Sequence, residues 1–257
     1  MACLPAAAPA ARTLAEVSRA AIGDAATAAA RVRAVIAWTH ANLDWTTTDY
    51  QDRTPEQVLA RGGGNCHEQA RLVRALLAPA GVETRLVREI NVQPASERRQ
   101  RDAEEMIART GPRASVFGAR HNDHVWTEYR DVEQGEWVPA DPTLNVVGID
   151  AWVRARLGFG PRPVHEIIPY ADMLFPVAVV APLAGGRFEG RSERLLVRGF
   201  AAHVPGVAAR PGWARWAELV SRAEALVILT MQGRHNLHDD GALLEELSRA
   251  YAALRPA

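Results

Sequence analysis

Gly62-Gly63-Gly64-Asn65-Cys66-His67-Glu68-Gln69-Ala70-Arg71-Leu72-Val73-Arg74-Ala75-Leu76-Leu77 is the stretch that decides the fold. A glycine triplet, read as a sharp turn, runs directly into a helix whose first residue is one of only two cysteines in the chain. Ala70, Val73, Leu76 and Leu77 recur at helical spacing and predict one buried face, and Pro79-Ala80-Gly81 stops the helix. At such a helix start the backbone N–H groups and the helix dipole favour negative charge, and it is the thiolate that acts as nucleophile. A lone cysteine is weak evidence for chemistry, so its partners have to be found elsewhere in the chain.

Two downstream segments supply them. His124-Val125-Trp126-Thr127-Glu128-Tyr129 reads as a strand, with Trp126 and Glu128 on the face of His124 by the two-residue period. Trp137-Val138-Pro139-Ala140-Asp141-Pro142-Thr143 reads as its hairpin partner across a tip at Gln134-Gly135, so that His124 and Asp141 both lie at the open end. Strict register leaves the two offset by a few residues, a gap that twist, a bulge or side-chain reach must close. The three segments together resemble the transglutaminase-like superfamily, with its Gly-x-Cys helix start, His-x-Trp-x-Glu strand and Trp-Val-x-x-Asp-Pro-Thr strand end. The resemblance covers about residues 30 to 150. It implies an α+β, papain-like core: a Cys-bearing helix packed on an antiparallel sheet that carries His and Asp. It also carries over a catalytic triad of Cys66, His124 and Asp141, with no cofactor.

Such a triad works by acyl transfer. Cys66 attacks an amide or ester carbonyl to form a thioester, His124 moves the proton, and Asp141 holds the imidazole. The oxyanion needs two donors. The Cys66 backbone N–H is one; the other is the indole of Trp45 or Trp38, or the side chain of Asn65, with Trp45 ranked first. Trp126 is a candidate cleft wall or a core residue, and His121, like His67, neighbours a triad member. Release to water or to an amine uses the same residues, so hydrolysis and transfer both stay open. The expected partners are a small-molecule or peptide acyl donor and water or an amine. Two rival readings are a non-enzymatic interaction module that keeps the fold and a zinc site drawing on Cys66, His121 and His124. The spacing of those ligands, and the absence of a role for Asp141-Pro142-Thr143 in such a site, weigh against zinc.

Composition narrows the field further. Hydrophobic residues make up 48% and charged residues 23% of the 257-residue chain, which is ordinary globular usage. A formal net charge of zero leaves no basic footprint for nucleic acid or an anionic membrane surface. All 30 basic residues are arginine. Phosphate-loop NTPases, Schiff-base enzymes and Ser-Lys hydrolases each need a lysine, so these chemistries are excluded. Cys3 and Cys66 do not make a disulfide framework, and Met1 to Ala11 has neither a basic start nor a continuous apolar run. A cytoplasmic setting is expected.

The remaining organisation is read from periodicity. Residues 14 to 43 form one or two helices broken at Gly23-Asp24, and Thr54-Pro55-Glu56-Gln57 starts a short helix that ends at Arg61-Gly62. Thr84 to Ile90 is a strand with Leu86 and Ile90 as its apolar positions. Residues 91 to 122 form a long insertion with a charged helix from Glu97 to Arg109, read either as a lid over the site or as a solvated decoration. A helix follows at Ile149 to Leu157. The catalytic domain is placed at 1–174, and 175–257 is a C-terminal α/β extension packed on it. The extension is read as strands at 176 to 182 and 194 to 200, then helices at about 212 to 231 and 240 to 254.

Overall fold

The sheet is built from β3 (Thr84–Val92), β4 (His124–Asp131), β5 (Glu136–Asp141), β6 (Val146–Val147), β7 (Phe175–Pro182) and β8 (Phe188–Gly190). These run antiparallel in the order β6-β5-β4-β3-β7-β8. A separate parallel pair joins β1 (Asp44–Trp45) to β2 (Gly63–Gly64). The computed structural model describes residues 13–46, 51–92, 124–156 and 175–254. Cys3, His121, the expected helix at 97–109 and nearly all of the 91–122 insertion lie outside them.

Alternation along β4 assigns a different layer to each face of the sheet. Thr127 donates its hydroxyl to the Ala70 carbonyl at 3.0 Å, and Tyr129 packs in the same direction. That side is covered by α1 (Leu14–Ile22), α2 (Ala28–Asn42) and α4 (Cys66–Leu77), with α3 (Pro55–Arg61) beside α4. Val17, Val35, Ile36, Leu72, Val73, Leu76 and Leu77 fill this layer. Each fully buried leucine there contributes about 1.5–3 kcal/mol of transfer free energy. Trp126 points the other way, into a second core with Val87, Val177, Val179, Trp152 and Trp216. That core is closed by α5 (Ile149–Arg156), α6 (Gly199–His203), α7 (Trp213–Met231) and α8 (Gly241–Leu254).

Local sequence explains the helix ends. Thr13, Thr54 and Asn65 each cap a helix with a full capping box, closed by Glu16, Gln57 and Glu68. Gly23 ends α1 and separates it from α2. Gly62 ends α3 in the left-handed region, at φ 72°, where glycine is the favoured residue.

The strand expected at 194–200 is helical instead. A π-helical turn, Glu193–Arg198, leads directly into α6. Leu195, Leu196 and Phe200 are all fully buried, and a short apolar run of this kind carries no periodicity that separates a buried helix from a strand. In β3 the expected alternation also fails. Leu86 is half-buried, while Val87, Glu89, Ile90 and Asn91 are all buried. Being a central strand, β3 is covered on both faces, and a register shift between Ile90 and Asn91 interrupts its period.

Candidate active site

The turn before Cys66 is held by its own helix. Asn65 Oδ1 accepts from the Glu68 backbone N–H at 3.0 Å, and the Asn65 N–H donates back to Glu68 Oε2 at 3.0 Å. Arg53 grips the same buried carboxylate at 2.9 Å. Gln69 donates to the Gly64 carbonyl at 2.9 Å and to the Asp44 carbonyl at 3.4 Å, stitching the turn to β1. Of the glycine triplet only Gly62 takes a positive φ; Gly63 and Gly64 are extended and pair with β1. Glycine is needed there for close approach. A Cβ at Gly63 would lie 2.8 Å from the Asp44 carbonyl oxygen, and one at Gly64 would lie 2.9 Å from Glu68 Cβ.

These restraints leave Cys66 partly exposed as the first residue of α4. Because the cap satisfies the Glu68 N–H, the helix itself provides no partner for the N–H groups of Cys66 and His67. Burial works against ionisation of the thiol. A hydrogen bond from the His124 side chain, the charge of that imidazole and a hydrogen bond from the Val125 backbone N–H outweigh it, and the Cys66 pKa falls below the ordinary thiol value despite an opposing contribution from Asp141.

His124 and Asp141 meet without a bulge. β4 and β5 pair in unbroken register from Asp131–Glu136 to Thr127–Ala140. One further step sets Asp141 opposite Trp126, so Asp141 and His124 are diagonal neighbours on one face, within side-chain reach. His124 Nε2 and Asp141 Oδ2 lie 2.5 Å apart, with Asp141 fully buried. With Nε2 committed to Asp141, Nδ1 is the nitrogen left for the thiol. Thr143 holds the far side of the carboxylate: its N–H and its hydroxyl donate to Asp141 Oδ1 at 3.1 and 2.7 Å.

The other residues singled out in the sequence fall in different places. Trp45 pairs in register with Gly64, next to the cysteine turn, whereas Trp38 packs against the core beneath α1 and α2. The side-chain oxygen of Asn65 is occupied as the helix cap. Trp126 is fully buried and so does not line an open cleft; it stacks on the ring of His124, at 5.9 Å, and meets Trp152 at a tilt, at 4.8 Å. His67, the second residue of α4, is exposed. Among the described residues no group of three or more His, Cys, Asp or Glu side chains is placed to hold a metal ion. Sequence reasoning missed Gln69, Thr143 and the Val125 N–H. The Asp-Pro-Thr ending carries a signal for Thr143, since an aspartate side chain readily accepts from the backbone N–H two residues on. A backbone donor leaves no mark in side-chain identity.

The sequence matches the family model described as the transglutaminase-like superfamily over residues 15–142. This segment belongs to that superfamily. Its enzymes are generally cysteine-dependent, and the helix-borne cysteine, the antiparallel sheet and the mixed α+β core agree with it. No curated protein matches the chain. Among solved structures, the chain is similar at 13% identity and a TM-score of 0.35 to a candidate cysteine protease from Cytophaga hutchinsonii, over 63% of its own length and 40% of that protein's. It is also similar to a chain of the Rad4–Rad23 complex bound to a 6-4 photoproduct UV lesion, at 9% identity and a TM-score of 0.35, over 87% of its own length and 46% of that chain's. The chain thus spans less than half the length of either. Among the described residues, no helix is long and apolar enough to cross a membrane.

Proposed function

We propose that the protein is a cysteine acyl hydrolase or acyltransferase acting on an amide or ester of a small peptide or biosynthetic intermediate, with Cys66 as nucleophile, His124 as acid–base and Asp141 as its orienting partner. The observation that carries this reading is the His124–Asp141 contact of 2.5 Å at a thiol whose ionisation the same imidazole favours. The Cys66 thiolate forms the S–C bond as the carbonyl electrons move onto oxygen. The Cys66 N–H stabilises that oxyanion, and Trp45 is the preferred source of the second donor. When the intermediate collapses, the C–N or C–O bond breaks and His124 delivers its proton to the leaving group. Water or an amine then attacks the thioester while His124 takes up a proton, and collapse returns the thiolate. A reducing compartment such as the cytoplasm suits a free catalytic thiol.

The test uses p-nitrophenyl acetate with Cys3→Ala protein. The expected result is a burst of p-nitrophenolate with an acetyl group on Cys66 detected by mass spectrometry, both lost in His124→Ala, and acetyl transfer to an added amine or to water that identifies the acceptor. Turnover that persists in Cys66→Ala, with no adduct at Cys66 in the parent, would refute the assignment.

A further inference from the structure

We propose that Thr143 is a positioning residue that acts on Cys66 through Asp141 and His124, by fixing which carboxylate oxygen faces the imidazole. This rests on the function proposed above. Asp141 is fully buried, so no solvent compensates for a lost donor, and an anion in that position depends on the donors the chain supplies. Two of these come from Thr143 and both go to Oδ1, the hydroxyl at 2.7 Å and the N–H at 3.1 Å. Oδ2 is thereby left to His124 Nε2. Thr143 is itself only 6% exposed and lies just past the end of β5, so its hydroxyl has little freedom to turn elsewhere.

The hydroxyl has an electrostatic consequence as well as a geometric one. Charge-assisted hydrogen bonds to a carboxylate are stronger than neutral ones and lower its affinity for a proton. Without the Thr143 hydroxyl the buried carboxylate competes more strongly for the Nε2 proton. The imidazole then carries less positive charge and supports the thiolate less well. Among the described residues, the titratable groups near this pair include Cys66 at the start of α4, Glu89 on β3 in register with His124, and His40 on α2, whose ring meets the Pro142 carbonyl at 3.3 Å. Thr143→Val alters none of them and keeps both the shape of the side chain and the backbone donor.

The experiment measures the pH dependence of iodoacetamide alkylation of Cys66 in Cys3→Ala protein. Thr143→Val is expected to move the acid limb upward by about half a pH unit or more, as expected for loss of a donor to a charged group. Thr143→Ala is expected to do the same, whereas Thr143→Ser keeps the parent profile. In an Asp141→Asn background, Thr143→Val is expected to add nothing, because the two residues act as one unit. A parent profile retained by Thr143→Val, or a shift of equal size in the Asp141→Asn background, would overturn the proposal by reducing Thr143 to a packing residue. A parent enzyme that alkylates like an ordinary thiol would instead defeat the functional reading on which the proposal rests.

Discussion

At the scale of single residues, the site depends on which ring nitrogen faces the thiol. Asp141 accepts from Nε2, so in the neutral ring Nδ1 carries the lone pair that can take the thiol proton. An Asn at 141 can donate to Nε2 instead, which moves the ring proton to Nδ1 and points it at the sulfur. Asp141→Asn is therefore expected to fold normally and to lose about three to four orders of magnitude in turnover of p-nitrophenyl acetate. A loss of less than tenfold would mean that the carboxylate does not set the tautomer. The grouping of Cys66, His124 and Asp141 is legible in the sequence because a thiol, an imidazole and a carboxylate are chemically distinct residue types in a recognisable order. For Trp126, period two leaves a cleft wall and a core residue both open; the structure takes the second, because that face is buried under the C-terminal helices, which alternation in β4 does not report.

At the scale of elements, the cysteine turn is the most tightly specified part of the fold. Gly62 serves a helix end, while Gly64 lies under Glu68 and Val58, where a Cβ would come within 2.9 and 3.1 Å. Gly64→Ala is expected to cost about 1–3 kcal/mol through overpacking and to slow Cys66 alkylation, because relief of the clash displaces the first turn of α4. Gly62→Ala is expected to cost about 1 kcal/mol with alkylation unchanged. Urea unfolding and thiol labelling of both variants test the contrast, and a Gly64→Ala protein with parent stability and reactivity would contradict it. The helices were legible through their caps, as at Thr54-Pro55-Glu56-Gln57, because capping is local chemistry. The region at 193–203 was not, because Leu195 and Leu196 owe their helical state to burial against distant partners rather than to any local signal.

At the scale of the whole molecule, an ion-pair network ties the His-bearing hairpin to the C-terminal segment. Glu128 on β4 is fully buried and pairs with Arg85 on β3 at 2.8 Å and with Arg191, just after β8, at 3.1 Å. Glu189 on β8 contacts the same two arginines at 2.7 and 3.2 Å. Glu128→Gln leaves Glu189, partly exposed, as the carboxylate among the described residues that still contacts both guanidiniums. It is expected to destabilise the fold by about 3 kcal/mol, at the lower end of the range for a broken buried pair. A urea-unfolding loss below about 1 kcal/mol would show that the network contributes little. None of these long-range pairings could be read from the sequence, since nothing local to Glu128 names Arg85 or Arg191 as its partners.

The whole arrangement favours the thiolate of Cys66 over that of an ordinary cysteine. The direct measurement is the rate of iodoacetamide alkylation of Cys66 in Cys3→Ala protein across the pH range, beside free cysteine. Because His124 holds the Cys66 pKa below the ordinary thiol value, alkylation is expected to persist to lower pH than that of free cysteine, and to lose that advantage in His124→Ala. A Cys66 profile that coincides with that of free cysteine, or one that His124→Ala leaves unchanged, would contradict the account.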